Sequence, residues 1–408
     1  MSLSLLVKFF GIILAILLFG AGLMFVLMPR SPKPPERVNT VEDLERYLNT
    51  LAKAQIPPGL SLAVVKKGRL VYSRGFGLAD GPRGLRATPD TVYHWWSMTK
   101  IPTAIAIMQL QERGELSIDD PVSKYLSFFQ VNYPTSQQPT ITLRHLLNHS
   151  AGIKDNVPEI IGWIHWEGYP HPIQTDLLRE KFPAYADLIF TPGERTQYTN
   201  VGYMVLGAVI ESVTGQRYED YILENILQPL KMDHTRFVIT GQMAVQEAAG
   251  TQHLANPFTL LMIPMIDMKA MVHEWKGMRL WFNRVYNDQT PPTGLIGPVR
   301  DAARLMLAYL NGGELEGARI LLPESVRLLN NEPLIPMEGG GSQGLGWKYY
   351  QDPQGRIYQG HAGGGPGFAT ELRIYPEQGL GLVLMGNDTT FNQKTVLDLA
   401  AGLDWQQD

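Results

Sequence analysis

An α+β fold, with an antiparallel sheet built from both ends of the chain, follows from three features of this sequence. "GLSLAVVKKGRLVYSRGFGLAD" near the N-terminus reads as two strands around a Lys67-Gly68 turn, and "FATELRIYPEQGLGLVLMGND" near the C-terminus reads as a second hairpin. Between them, apolar residues recur at helical spacing over residues 100–113 and 201–213. Each run stops near a glycine, Gly114 and Gly215, as helices commonly do. Strands at both ends with helices between them predict one domain whose first and last strands share a sheet. Neither an internal repeat nor a second domain boundary is legible, so residues 38–408 are read as that domain.

In chain order, residues 9–28 carry no charge and are bracketed by Lys8 and Arg30. Twenty residues of helix rise about 30 Å, the thickness of a bilayer's hydrocarbon core. Residues 1–28 are therefore expected to be a transmembrane anchor. A cleaved signal peptide is the alternative, with Gly20, Ala21 and Gly22 as the small residues, but the apolar run continues beyond them through Val26. Arg30, Lys33 and Arg37 follow the span while Lys8 alone precedes it, a charge bias that favours a cytoplasmic domain; a large domain that translocates regardless of flanking charge favours the opposite side. The expectation adopted is a single-pass protein with its catalytic domain outside the cytoplasm, periplasmic or at the cell surface. Residues 29–37, "PRSPKPPER", form a proline-rich spacer. "TVEDLERYLNTLAKAQ" has helical spacing at Val41, Leu44, Leu48 and Leu51 with Thr40 as cap, and "TVLDLAAGL" closes the chain as a helix.

The 408 residues are 44% apolar with a formal charge of −4, and no basic cluster points to nucleic acid. Cysteine is absent, which excludes disulfides, thiol nucleophiles and cysteine-ligated zinc. No cofactor or metal is expected. His145 and His149 stand four apart, a spacing that can bind zinc, but no Glu completes a His-Glu-x-x-His pattern.

Chemistry enters at "HWWSMTK", where Ser97 precedes Lys100 by three residues, one helical turn on the same face. A serine is a poor nucleophile until a nearby group takes its proton, and a lysine shielded from water can do so. At a helix N-terminus the serine's own N–H also faces a developing oxyanion. Pro102 is a discord, because it removes a helical N–H and can bend the helix. Two distant stretches add Tyr198-x-Asn200, in "PGERTQYTNVGYMVLG", and His361-x-Gly363, in "GHAGGGPGF" just before the C-terminal hairpin. Taken singly, Tyr198 could be a packed tyrosine and Asn200 a helix cap.

Ser-x-x-Lys, Tyr-x-Asn and His-x-Gly in that order resemble the serine β-lactamase and penicillin-binding-protein superfamily, in its class C β-lactamase, D,D-peptidase and esterase branch. The blocks "LQERGELSIDDPVSKYL", "ITLRHLLNHSAGI" and "GLIGPVRDAARLMLAYLNGG" resemble that branch too. The resemblance implies a β-lactamase/transpeptidase-like α+β fold, an antiparallel sheet flanked by helices with a helical subdomain. It implies Ser97 as nucleophile, with Lys100 and Tyr198 sharing the base work and the lysine charge lowering the tyrosine's proton affinity. Asn200 would bind the Lys100 amine and the substrate, which His361 and Gly363 also line. The N–H groups of Ser97 and Gly364 would form the oxyanion hole.

Lys-Thr-Gly is usual in antibiotic-degrading relatives where this chain has His361-Ala362-Gly363. Loss of that cation and hydroxyl argues against substrates with a free carboxylate and for uncharged esters or amides. Met262, Met265, Met268 and Met271, at steps of three within residues 257–282, could shape an apolar groove over the site, with Trp163 and Trp166 in the same cleft; packing as ordinary core is the alternative. The expected protein is a membrane-anchored serine hydrolase, esterase-like with an apolar cleft. A D,D-carboxypeptidase, D-aminopeptidase or β-lactamase, and an acylatable binding protein without turnover, are the alternatives. The substrate would be a small ester, amide or peptide, and nothing indicates the oligomeric state.

Overall fold

In a computed structural model describing residues 28–136, 138–156, 161–166, 171–262 and 265–405, the two ends of the chain pair directly. The predicted anchor lies outside these residues, except Met28. Strands β1 (Gly59–Lys66) and β2 (Arg69–Asp80) form the first hairpin, with Lys67 and Gly68 both at positive φ as a tight turn requires. Strand β3 (Leu85–Arg86) borders β2. From the far end of the chain come β4 (Ile335–Pro336), β5 (Ser342–Gln343), β6 (Lys348–Gln351), β7 (Ile357–Gly365), β8 (Phe368–Tyr375) and β9 (Leu380–Gly386). The sheet runs β4-β5-β6-β7-β8-β9-β1-β2-β3, antiparallel throughout, with Leu62 opposite Leu384 where the two ends join.

Both faces of this sheet are covered, so its central strands are apolar on both sides. On one face Leu60, Leu62, Val64, Leu382 and Leu384 pack under helix α1 (Val41–Lys53) and the closing helix, here α5 (Gln393–Ala401). Helix α1 is held at its start by a capping box between Thr40 and Asp43. The alternate residues Ala63, Val65, Val383 and Met385 belong to the larger core on the opposite face. That core holds α2 (Lys100–Glu112), α3 (Asn200–Thr214) and α4 (Val299–Leu310). The period-2 alternation of β1 and β9 thus assigns each strand to two cores at once. Truncating a buried leucine such as Leu62 to alanine would cost about 2–5 kcal/mol.

The methionine stretch has a small core of its own. Met262 and Met271 are buried with Leu280 and Phe282, and Trp166 packs on them, whereas Trp163 belongs to the main core. The segment folds as two short helices followed by a hairpin, Val272–Lys276 with Arg279–Phe282, and a buried Arg279–Asp388 ion pair ties that hairpin to the main body. Two of the four methionines therefore fill a satellite core and line no groove. Of the two tryptophans expected beside this stretch, Trp166 packs against it and Trp163 does not.

Candidate active site

Ser97 lies in a 3-10 turn, Trp96–Thr99, and the α-helix proper begins at Lys100. Pro102 falls in the first turn of α2, where its missing N–H would have had no helical partner, so it causes no break. The residue before the nucleophile, Trp96, has φ +45°, a left-handed conformation unfavourable for a side chain of this size. It is retained by packing: the indole stacks on His94 at 5.2 Å and lies against Gly365, where a Cβ would come within 2.4 Å of the ring. Gly363, two residues earlier on β7, would place a Cβ 2.1 Å from the Trp95 carbonyl and 3.1 Å from the Ser97 nitrogen. Alternate glycines thus let β7 press its backbone against the Ser97 turn, while Gly364 between them faces open space. His361, Gly363 and Gly364 accordingly lie within a strand and not ahead of the hairpin, because β7 extends the C-terminal hairpin to three strands.

Lys100 Nζ stands 3.3 Å from Ser97 Oγ, 2.7 Å from Asn200 Oδ1 and 3.3 Å from the carbonyl of Pro292. The amine is completely buried. Burial pushes its pKa well below the ordinary lysine value, Asp155 pulls it back up, and Lys348 lowers it further. The Lys100 amine lies 4.7 Å from the centre of the Tyr198 ring, and Ser97 is close enough to the phenol to favour its ionised form. Burial raises the phenol's pKa above its ordinary value, outweighing the opposite influence of Ser97. Burial thus works against the expected lowering of the tyrosine's proton affinity, and in Lys100 the same burial disfavours the charged form. His361 is buried, 6.1 Å ring to ring from Tyr198, and donates Nδ1–H to the Ala362 carbonyl at 2.9 Å. Burial, then Lys348 and Lys100, hold its pKa well below the usual imidazole range.

Two groups near the centre, Asp155 and Lys348, had no motif to announce them, and a third, His149, was legible only as half of a zinc-spaced pair. Asp155 accepts from the Thr199 hydroxyl at 2.7 Å and from the Asn200 and Val201 N–H groups at 2.8 and 3.1 Å, fixing the segment that carries Tyr198 and Asn200. Lys348 on β6, in register with Gly360, lies 4.3 Å from the centre of the Tyr198 ring and borders a cavity of about 350 Å³ with Thr196, Gln197, Gln343 and Tyr350. Burial lowers its pKa. His149, at φ +58°, accepts from the Thr199 N–H and lies against Tyr198 at 4.6 Å. His145 is occupied in the capping box of the short helix Leu143–Leu147, so both histidines of the i, i+4 pair have structural partners.

A buried lysine, a tyrosine and a serine at a helix start, on a helix-covered antiparallel sheet, are the parts a serine hydrolase of the acyl-enzyme class uses. The chain belongs to the Beta-lactamase family, whose profile matches residues 44–404. Among curated relatives, Protein flp of Staphylococcus aureus (strain NCTC 8325 / PS 47) is 33% identical over 218 residues, 51% of this chain but 41% of that protein. The chain thus spans less than half the length of that relative. Penicillin-binding protein 4* of Bacillus subtilis (strain 168) is 26% identical over 374 residues, 87% of this chain and 74% of its own. Of solved structures, the octameric penicillin-binding protein homologue from Pyrococcus abyssi aligns at TM-score 0.68 and 28% identity over 90% of this chain and 78% of its own. The D-amino acid amidase from Ochrobactrum anthropi SV3 shares the fold, at TM-score 0.70 and 20% identity over 88% of this chain and 97% of its own.

Proposed function

We propose that this protein hydrolyses amide or peptide bonds through an acyl-enzyme on Ser97, with Lys100 as the base. The observation that carries the reading is the bonding of the lysine amine. A neutral amine has two N–H donors and one lone pair. The three partners match the three donors of the ammonium; once burial drives the amine neutral, Asn200 Oδ1 and the Pro292 carbonyl, which can only accept, keep its two N–H groups, and the lone pair faces the Ser97 hydroxyl proton. Ser97 Oγ then attacks the substrate carbonyl carbon as its proton passes to Lys100. The N–H groups of Ser97 and Gly364 receive the oxyanion, each such donor being worth about 3 kcal/mol of barrier. Tyr198, whose burial favours the protonated phenol, passes a proton to the leaving nitrogen and is reprotonated from Lys100. Water repeats the sequence to free the acyl group.

Lys348 supports substrates with a carboxylate near the scissile bond. It supplies from the neighbouring strand the cation that His361-Ala362-Gly363 lacks, so the argument against free carboxylates loses its force. The names of the relatives, penicillin-binding proteins and a D-amino acid amidase, fit peptide or amide substrates. An esterase is the second reading, favoured by a cleft of about 340 Å³ where Phe282, Val285 and Phe368 meet His94 beside Trp96, although Asp80, Arg83, Glu247 and Arg284 line it as well. The uncharged run over residues 9–28 supports a membrane anchor; the placement of the domain outside the cytoplasm rests on its size alone, since large domains translocate regardless of flanking charge. Among the described residues no helix is long and apolar enough to cross a membrane.

The test compares peptides ending in D-residues, with free or amidated C-termini, against short- and long-chain p-nitrophenyl esters. The free-carboxylate peptide should be preferred by about tenfold over its amide, and Lys348→Met should abolish the preference. Preference for long-chain esters would favour the second reading. Stoichiometric acylation without turnover would make the protein an acylatable receptor.

A further inference from the structure

Away from Ser97, two histidines and an aspartate converge. His165 lies on a two-residue strand, Ile164–His165, paired with Tyr286–Asn287, so that Asp288 follows directly after the residues opposite His165. His165 Nε2 is 3.2 Å and His171 Nδ1 is 3.6 Å from the same oxygen, Asp288 Oδ1. The three donor atoms all lie within 4.8 Å of one another. Side-chain exposures of 14%, 3% and 17% enclose the cluster, and the Tyr286 ring stands 5.8 Å from one imidazole and 6.1 Å from the other.

The tautomer of His171 separates this cluster from an ordinary polar contact. Its Nε2 is 3.1 Å from the Phe237 carbonyl, which can only accept, so Nε2 carries the hydrogen. In the neutral ring Nδ1 then presents a lone pair to a carboxylate oxygen. Two lone pairs at this distance repel unless a proton or a cation stands between them. A backbone carbonyl that fixes the far nitrogen is also the usual outer support of a metal-bound histidine. The 3.2 and 3.6 Å from the two imidazole nitrogens to Asp288 Oδ1 bracket the separation of roughly 3.3 Å expected for donor atoms about 2.0–2.1 Å from a tetrahedral zinc ion.

We propose that His165 Nε2, His171 Nδ1 and Asp288 Oδ1 bind one divalent transition-metal ion, with zinc the best match to this nitrogen and carboxylate set. Three protein donors leave a fourth position for water. The ion links two segments that meet behind the active site. The Asp288 N–H bonds to the Trp163 carbonyl, and four residues further on Pro292 offers its carbonyl to Lys100. In between, Pro291 accepts from Thr103 on α2. The ion is thus a positioning element for the strap that holds the catalytic lysine. Neither histidine sits in a spacing that sequence patterns associate with metal; the cluster exists only because the strand pairing joins residues more than a hundred apart.

The test uses the full chain, purified without a histidine tag and stripped of metal, with zinc as probe in competition with a chromophoric chelator. One zinc per chain is expected, and His165→Gln and Asp288→Asn should each weaken it at least about tenfold. Cobalt should give the visible absorption of a tetrahedral site in the wild type, a readout independent of whether the variants fold and of any hydrolytic activity. Zinc uptake well below one per chain would overturn the proposal, leaving a histidinium–carboxylate ion pair. Unchanged binding in both variants would overturn it too.

Discussion

The starts of helices α2 and α3 meet at Lys100 and Asn200, yet they end in opposite ways. At α3 the Thr199 hydroxyl accepts from the Gly202 N–H, and the Asp155 carboxylate takes the Asn200 and Val201 N–H groups. At α2 no side chain among the described residues caps the turn, and its first turn holds no acidic residue. The closed end has its orphan donors satisfied and its dipole neutralised, which makes it a rigid bracket for Tyr198 and Asn200. The open end carries no side-chain acceptor, so its positive dipole faces whatever anion forms at Ser97. The open end has its own cost: Trp96 is held in a left-handed conformation by stacking on His94 and by the glycines of β7. A carboxylate closes the end that must hold still, and its absence leaves the other end reactive.

Replacing the group between the two ends should have the largest effect. Lys100→Met should lower kcat/KM by roughly a hundred- to ten-thousandfold, the usual range for loss of a general base. A drop of less than about threefold, with substrate in excess and the fold intact by circular dichroism, would move the base elsewhere.

Next come two charges with opposite influence on that lysine. Activity requires neutral Lys100, so the acid limb of the rate profile rises with pH through its pKa. Asp155 raises that pKa and Lys348 lowers it. Asp155→Asn should therefore move the limb to lower pH while reducing kcat/KM about tenfold through a loosened α3 start. Lys348→Met removes a neighbouring positive charge and should move it to higher pH. Limbs that shift in the same direction would break the comparison. The smallest effect belongs to the closed end alone: Thr199→Ala should cost about 1 kcal/mol, a fall of a few degrees in Tm by calorimetry.

Local rules made much of this legible beforehand. Lys67-Gly68, the Thr40 cap and the glycine stops depend on nearest neighbours, and Ser97 with Lys100 on one helical turn. Tyr198, Asn200 and His361 came from their order along the chain, and the structure gathers all three around Lys100. Asp155 was invisible because its partners begin 44 residues away and a lone aspartate has no periodicity. Lys348 was invisible because only its register opposite Gly360 carries it to Tyr198. The methionines at steps of three had the spacing of a groove, but half of them fill a satellite core.

The central claim is that Ser97 at the open helix end is the acylated atom. Its most direct test is mass spectrometry of the peptide containing Ser97 after treatment with a fluorophosphonate, which traps an activated serine. One adduct on Ser97, formed faster as pH rises along the acid limb of kcat/KM and absent in Ser97→Ala, is the predicted result. An adduct on another serine, with turnover surviving in Ser97→Ala, would contradict it.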